Sequence, residues 1–139
     1  MNIKKAAELF DLSVDTLRYY ERIGVIPPVK RNESGYREYS NADLNWIYLA
    51  KSLRNAGLSI ESLIEYVQLS QTQNRLNVAD AQKQILHDQL TELSNKIEEM
   101  QQAKGLLQYK IATFDEHLAK FQSGEMNKDT IDKLWEKKF

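Results

Sequence analysis

The segment that decides the fold is IKKAAELFDLSVDTLRYYERIG, which covers residues Ile3–Gly24. Apolar residues recur at helical spacing on both sides of Ser13, a residue type that often precedes the first turn of a helix. Gly24 is suited to end the second helix, and only Asp11 and Leu12 separate the two patterns. We therefore predict two short helices joined by a tight turn, which is a helix-turn-helix.

The segment after this pair contains a turn signal. Pro27 and Pro28 exclude a continuing helix, and the residues Asn32-Glu33-Ser34-Gly35 form a typical turn sequence. Charged and aromatic residues alternate on its two sides, within Val29–Tyr39. This pattern predicts a small β-hairpin, so that the helix-turn-helix is a winged one.

Two more helices are expected before residue 71. Ser40 followed by Asp43 resembles a capping box, and Gly57 is placed to end the helix that begins there. Ser59 is the candidate N-cap of a fourth helix. Residues 71–77 are polar apart from Leu76 and are predicted to form a hinge.

A long heptad pattern follows the hinge. Apolar residues alternate at spacings of three and four from residue 78 to residue 121, with Lys83 and Lys104 on the same stripe. Such a helix is roughly 65 Å long at about 1.5 Å per residue, too long for the small head to cover. A second copy is the simplest partner, and the predicted dimer seam consists of Leu86, Leu90, Leu93, Ile97, Met100, Leu107, Ile111, Phe114 and Leu118.

The predicted fold is mainly α, in four parts. They are a winged helix-turn-helix DNA-binding domain at 1–70, a hinge at 71–77, a coiled-coil dimerisation helix at 78–121, and a tail or effector region at 122–139. Ile131, Leu134 and Trp135 stand at helical spacing in the tail and predict a short C-terminal helix. An antiparallel coiled coil is favoured because a parallel one would place Lys83 and Lys104 against their own copies.

Composition limits the function. The chain has 139 residues, a formal net charge of −1 and no cysteine, which excludes disulfides and thiolate metal sites. No signal peptide or membrane span is apparent, so the expected location is the cytoplasm. His87 and His117 lie far apart and are not expected to bind metal. We expect no catalytic residue, no metal and no cofactor.

The exposed face of the second helix suits DNA. Arg18, Tyr19 and Arg22 share this face with Asp15, and Thr16 lies near the helix start. Arginine can pair with guanine in a major groove, while hydroxyl groups reach phosphates. Residues 18–54 contain seven basic and four acidic side chains, a local excess that the whole chain does not show. An ordinary solvated face is the alternative interpretation of this helix.

Three motifs resemble the MerR family of bacterial transcription regulators: TLRYYERIGVIPP at Thr16–Pro28, GYREYS at Gly35–Ser40, and ADLNWIYLAKSLRNAGLSIESL at Ala42–Leu63. The resemblance implies an antiparallel coiled-coil homodimer that binds double-stranded promoter DNA with an overlong spacer. It also implies that the activated dimer bends and untwists the spacer so that RNA polymerase can engage both promoter elements.

The resemblance also implies site residues. It assigns DNA contacts to Arg18, Tyr19 and Tyr20 on the second helix. In the wing it assigns them to Tyr36, Arg37 and Tyr39, and it places a second wing around Arg54. Together with the exposed face, the candidate DNA-binding residues are Ser13, Asp15, Thr16, Arg18, Tyr19, Tyr20, Arg22, Tyr36, Arg37, Tyr39 and Arg54.

The effector is left open by the sequence. Family members that sense metals or aldehydes use cysteines, and Ser52 stands about where a reactive cysteine is expected on the third helix. Three hypotheses remain: a small organic ligand, a signal carried by protein or nucleoid state, or no effector. A pocket for a small ligand would be lined by Trp46, Tyr48, Tyr66 and Trp135.

Two other functions fit part of the pattern. A coiled-coil scaffold whose head binds protein would explain the heptads and the near-neutral charge. An architectural DNA-binding protein without effector-dependent regulation would share the head, but it would need no long dimerising helix. Neither hypothesis accounts for the basic, aromatic head and the long helix together.

Overall fold

The computed structural model describes residues 1–72 and 75–139, and for Arg75 the backbone only. The helices are α1 (Ile3–Phe10), α2 (Val14–Ile23), α3 (Asn41–Asn55), α4 (Ile60–Ser70) and α5 (Arg75–Ser123), followed by a 3₁₀ turn at Leu134–Glu136. Two compact units are present, Met1–Leu93 and Ser94–Phe139.

Side-chain caps define where the first three helices begin. Asn2 Oδ1 accepts a hydrogen bond from the Lys5 amide at 2.9 Å, and Ser13 Oγ accepts one from the Thr16 amide at 3.0 Å. Ser40 and Asp43 form the expected capping box at the start of α3. These caps satisfy amides that have no partner within the helix, so the helix starts predicted at Ser13 and Ser40 are confirmed.

The turn between α1 and α2 depends on one left-handed residue. Asp11 adopts φ 52° and ends α1, and its amide is bonded to carbonyls of that helix. Aspartate tolerates this conformation better than most residues with a side chain. Gly24 ends α2 at φ 84°, as its position in the sequence predicts.

The core of the first unit joins residues from α1, α2, α3 and α4. Ala6, Leu17 and Ile47 are fully buried in one cluster, which also includes Leu63. Val25 and Ile26, in the loop after α2, also belong to it. Since Leu17 points inward, the residues on the opposite side of α2 face solvent.

The long helix begins earlier than expected, at Arg75, and ends at Ser123. Residues 75–77 of the predicted hinge therefore belong to α5, and residues 73 and 74 of that hinge lie outside the described residues. Residues 75–93 of α5 belong to the first unit and 94–123 to the second.

The second unit contains a tail that returns to α5. Met126 is buried, and the Tyr109 hydroxyl donates a hydrogen bond to Asp132 Oδ2. The Tyr109 and Phe139 ring centroids lie 5.5 Å apart. A Cβ at Gly105 would lie 2.9 Å from the Phe139 Cβ, which explains a glycine inside a helix at this position. The predicted short C-terminal helix is a single 3₁₀ turn of three residues.

We expect Leu17→Ala to lower the free energy of unfolding by about 2–5 kcal/mol, because it leaves a cavity in the middle of the core. Chemical denaturation monitored by circular dichroism measures this loss. Leu9→Ala is the matched control, since Leu9 is an exposed leucine of α1 and should change stability by less than about 0.5 kcal/mol. Equal losses in the two variants would contradict the assignment of the core.

Candidate nucleic-acid interface

The exposed face of α2 carries the residues expected there. Asp15, Arg18, Tyr19 and Arg22 are all exposed, and the Arg22 guanidinium carbon lies 5.3 Å from the Tyr19 ring centroid. This cation–π contact joins two candidate DNA residues into one surface. Arg18 Nη1 lies 3.3 Å from Asp15 Oδ1, an exposed ion pair that water and salt weaken.

Two other candidates on α2 form its N-terminal cap. The Ser13 and Thr16 hydroxyl oxygens lie 2.8 Å apart, and Ser13 Oγ already accepts from the Thr16 amide. Both hydroxyls lie at the helix N-terminus, where the helix dipole favours an anion. Their placement is compatible with a phosphate contact.

The segment that follows α2 forms a compact loop, here called the wing (residues 31–37). Arg31 and Arg37 make an isolated antiparallel bridge, and the described part of the chain contains no strand. Asn32 Oδ1 accepts hydrogen bonds from the Ser34 and Tyr36 amides, both at 3.0 Å. The predicted hairpin is therefore present in a short form. The Asn32 amide donates to the Tyr36 carbonyl oxygen and the Glu38 amide to the Lys30 carbonyl oxygen, both at 2.8 Å, on the two sides of the bridge.

The tip of the wing is well ordered by hydrogen bonds. Arg31 Nη1 donates to the Gly35 carbonyl oxygen at 2.9 Å, and Gly35 has φ 85°. Tyr36 follows and is 71% exposed. The turn thus presents an aromatic hydroxyl to solvent from a backbone that is already fixed.

Between α1, α2 and the wing lies a groove with a volume of about 640 Å³. Its lining includes four cationic side chains and no acidic one. Its full lining is Asn2, Ile3, Lys4, Arg18, Arg31, Asn32, Gly35, Tyr36 and Arg37. The structure thus brings together the predicted Arg18, Tyr36 and Arg37. It adds Asn2 and Lys4 of the N-terminal segment, which were not among the candidate DNA-binding residues because only the fold places them beside α2.

An acidic residue of α2 contacts the wing. Arg37 Nε donates to Glu21 Oε1 at 2.9 Å, and the two side chains are 17% and 18% exposed. A largely buried ion pair of this kind restrains both side chains more firmly than a surface pair does. Arg37 is therefore held between α2 and the groove.

Two predicted DNA contacts are buried instead. Tyr20 is 9% exposed and Tyr39 is 3% exposed, and both belong to the core cluster. Burial raises the pKa of each phenol; the charge of Arg54 opposes this at Tyr20, and that of Arg37 opposes it at Tyr39. Their burial contradicts the expectation that these side chains face DNA. A tyrosine ring is apolar enough to fill a core, and the pattern of residue types does not show which side it faces.

The Tyr39 hydroxyl has no hydrogen-bond partner among the described residues. A buried hydroxyl without a partner costs free energy, so we expect Tyr39→Phe to raise the free energy of unfolding by about 1 kcal/mol. Urea denaturation measures this gain, with the exposed Tyr48→Phe as a control that should show no change. A loss of stability in Tyr39→Phe would mean that the hydroxyl is bonded in solution.

The remaining candidates are distributed over the molecule. Arg54 is exposed in the last turn of α3, near enough to Tyr20 to influence its pKa.

The residues of the predicted effector pocket do not form one site. The Trp46 and Tyr66 rings meet edge to face with 5.6 Å between their centroids, whereas Tyr48 is exposed. Trp135 is 81% exposed and belongs to the second unit. A cavity of about 170 Å³ in the first unit is lined by leucines and Gln89 and by none of these aromatic residues.

The predicted seam is an exposed apolar stripe on α5. Eight of its nine residues are exposed and Leu93 is partly buried. The stripe continues to Phe121, which is also exposed.

Within residues 1–72 and 75–139, no helix is long and apolar enough to cross a membrane, and no group of three acidic or histidine side chains could hold a metal ion.

Comparison with known proteins links this arrangement to one family. The sequence pattern described as "MerR HTH family regulatory protein" matches residues 1–70. The transcriptional regulator AdhR of Bacillus subtilis is 53% identical over 89 residues, which are 64% of this chain and 62% of AdhR. The match thus spans less than two thirds of that relative.

Solved structures agree along most of the chain. A chain from Listeria monocytogenes, described as a MerR family transcriptional regulator, is 45% identical with a TM-score of 0.79, covering 89% of this chain and 92% of that one. HiNmlR, a MerR family regulator lacking the sensor domain and bound to promoter DNA, is 28% identical with a TM-score of 0.74. That match covers 85% of this chain and 92% of HiNmlR.

Proposed function

The chain belongs to the MerR family of helix-turn-helix regulatory proteins, and we propose that it binds promoter DNA as a homodimer and controls transcription by distorting the promoter spacer. The observation that carries this proposal is the groove between α1, α2 and the wing, whose charged side chains are all cationic. Neutralising phosphates with such groups supplies much of the affinity of proteins for DNA. The similarity to HiNmlR, which is bound to promoter DNA, supports the same function.

We propose that each segment of the chain has its own role. Residues 1–70 bind DNA, α5 dimerises through residues 78–121, and 122–139 form a tail that is open to an effector; the segment between residue 70 and α5 connects the two. RNA polymerase at the same promoter is the proposed partner, because the distorted spacer lets it engage both promoter elements. We further propose that the chain has no catalytic role and acts in the cytoplasm, where bacterial promoters lie. The relatives are transcription regulators, which supports this reading and not the scaffold alternative.

Bending and untwisting a spacer costs several kcal/mol, which the protein must offset by contacts with the DNA backbone. Two heads on one duplex double the backbone contacts that a single cationic groove can make. The proposal therefore requires a dimer.

The proposed function is tested by fluorescence anisotropy with the DNA upstream of the gene that encodes this chain, measured across salt concentrations. Affinity should fall steeply with salt and should favour a palindrome over scrambled duplexes. Equal, salt-independent affinity for all duplexes would refute it.

We expect Arg18→Ala to weaken binding to the specific duplex by about 1–3 kcal/mol, because Arg18 lies on the exposed face of α2 and lines the groove. The measurement is the difference in affinity between the specific and a scrambled duplex. Lys128→Ala removes the same charge from an exposed site in the tail and should leave this difference unchanged. An unchanged difference in Arg18→Ala would remove Arg18 from the interface.

The dimer can be tested through its seam. The alternating spacing is symmetric about residue 102, so an antiparallel pair would place Leu90 beside the second copy's Phe114. In the same pair, Leu93 would lie beside the second copy's Ile111. All these side chains belong to the stripe that a single copy leaves largely uncovered.

We expect the double variant Leu90→Cys with Phe114→Cys to form a covalent dimer on mild oxidation, visible on a non-reducing gel. The natural chain has no cysteine, so only the introduced thiols can react. In an antiparallel pair, two copies of position 90 lie about 36 Å apart at about 1.5 Å per residue, so Leu90→Cys alone should not cross-link. Cross-linking of the single variant would indicate a parallel pair instead.

A further inference from the structure

Glu21 lies where an acidic residue is unfavourable for DNA binding. It belongs to α2, next to Arg22 in the sequence, and it contacts the wing residue Arg37. A carboxylate near this face repels phosphates, so simple electrostatics predicts that its removal strengthens binding. Its geometry points to the opposite effect.

The contact between Glu21 and Arg37 leaves part of the guanidinium unused. Glu21 accepts from Nε of Arg37, and this is the one hydrogen bond that the Arg37 side chain makes to the described residues. The two terminal nitrogens of Arg37 therefore retain their donors. Arg37 lines the groove together with Lys4, Arg18 and Arg31.

Restraint of an arginine matters because its side chain has many rotamers. An arginine that is ordered only when it meets DNA loses conformational entropy at that moment, which weakens binding. The carboxylate of Glu21 is itself only 18% exposed, so it is a poorly screened and well-fixed anchor for Nε. The backbone bridge between Arg31 and Arg37 fixes the other end of the same side chain.

We propose that Glu21 is a positioning residue for DNA binding, which holds Nε of Arg37 so that the free terminal nitrogens of the guanidinium point to a phosphate in the groove. This inference rests on the proposed function. It identifies Glu21 as an acidic residue whose loss weakens the binding of a polyanion.

The test compares Glu21→Ala, Glu21→Gln, Arg37→Ala and the double variant Glu21→Ala with Arg37→Ala, each in the full chain. We expect Glu21→Ala to bind the specific duplex about five- to tenfold more weakly, the effect of freeing one rotamer-rich side chain. Glutamine still offers an oxygen to Nε, so Glu21→Gln should bind within about twofold of the natural chain. The slope of log affinity against log salt should become shallower by about 0.9 in Arg37→Ala, which loses one phosphate contact, and should change little in Glu21→Ala, where Arg37 still makes that contact.

The double variant separates positioning from a general effect on folding. Without Arg37, the carboxylate has nothing to position and only repels DNA, so Glu21→Ala should cause no loss in the Arg37→Ala background. Glu38→Ala is the control for charge, because Glu38 is an exposed acid just after the wing and its removal should leave affinity unchanged or higher. Circular dichroism and thermal denaturation establish that each variant is folded.

Two results would overturn the inference: affinity in Glu21→Ala that equals or exceeds that of the natural chain, or the same loss in the presence and absence of Arg37. Failure of the natural chain itself to bind DNA in a salt-dependent way would overturn the proposed function, and this inference with it. The two failures are therefore distinguishable in a single set of titrations.

Discussion

The complete burial of Leu17 is the constraint on which the arrangement of the head depends. Once Leu17 packs with Ala6 of α1 and Ile47 of α3, the rotation of α2 about its axis is fixed. Arg18, one position further on, then has to face solvent. The wing follows α2 after a short buried loop, so its cationic residues come to lie beside the same face. The groove is thus a consequence of how the core is packed.

Much of this was predictable from the sequence because helix ends are encoded locally. Asn2, Ser13 and Ser40 cap helices with side chains three residues from the amides they bind, and such signals need no knowledge of the fold. The heptad stripe was predictable for a similar reason, since its period is a property of one helix. The bounds of α5 differed by a few residues, as helix ends without a strong cap often do.

The errors concern residues whose partners are distant in sequence. Tyr20 and Tyr39 carry a polar group on a large apolar ring, and only the packing of the core decides which part prevails. The wing, by contrast, is stabilised by local contacts of Asn32 and Arg31, and its turn was predictable. The contact between Glu21 and Arg37 spans sixteen positions, and no local pattern indicates it.

The apolar stripe of α5 also bears on how a cell handles the polypeptide. A copy that has not yet met another displays a row of leucines and other large apolar side chains of the kind that chaperones and proteases engage. In the proposed homodimer a second copy covers this row, so pairing and capture by a chaperone or protease compete for the same surface.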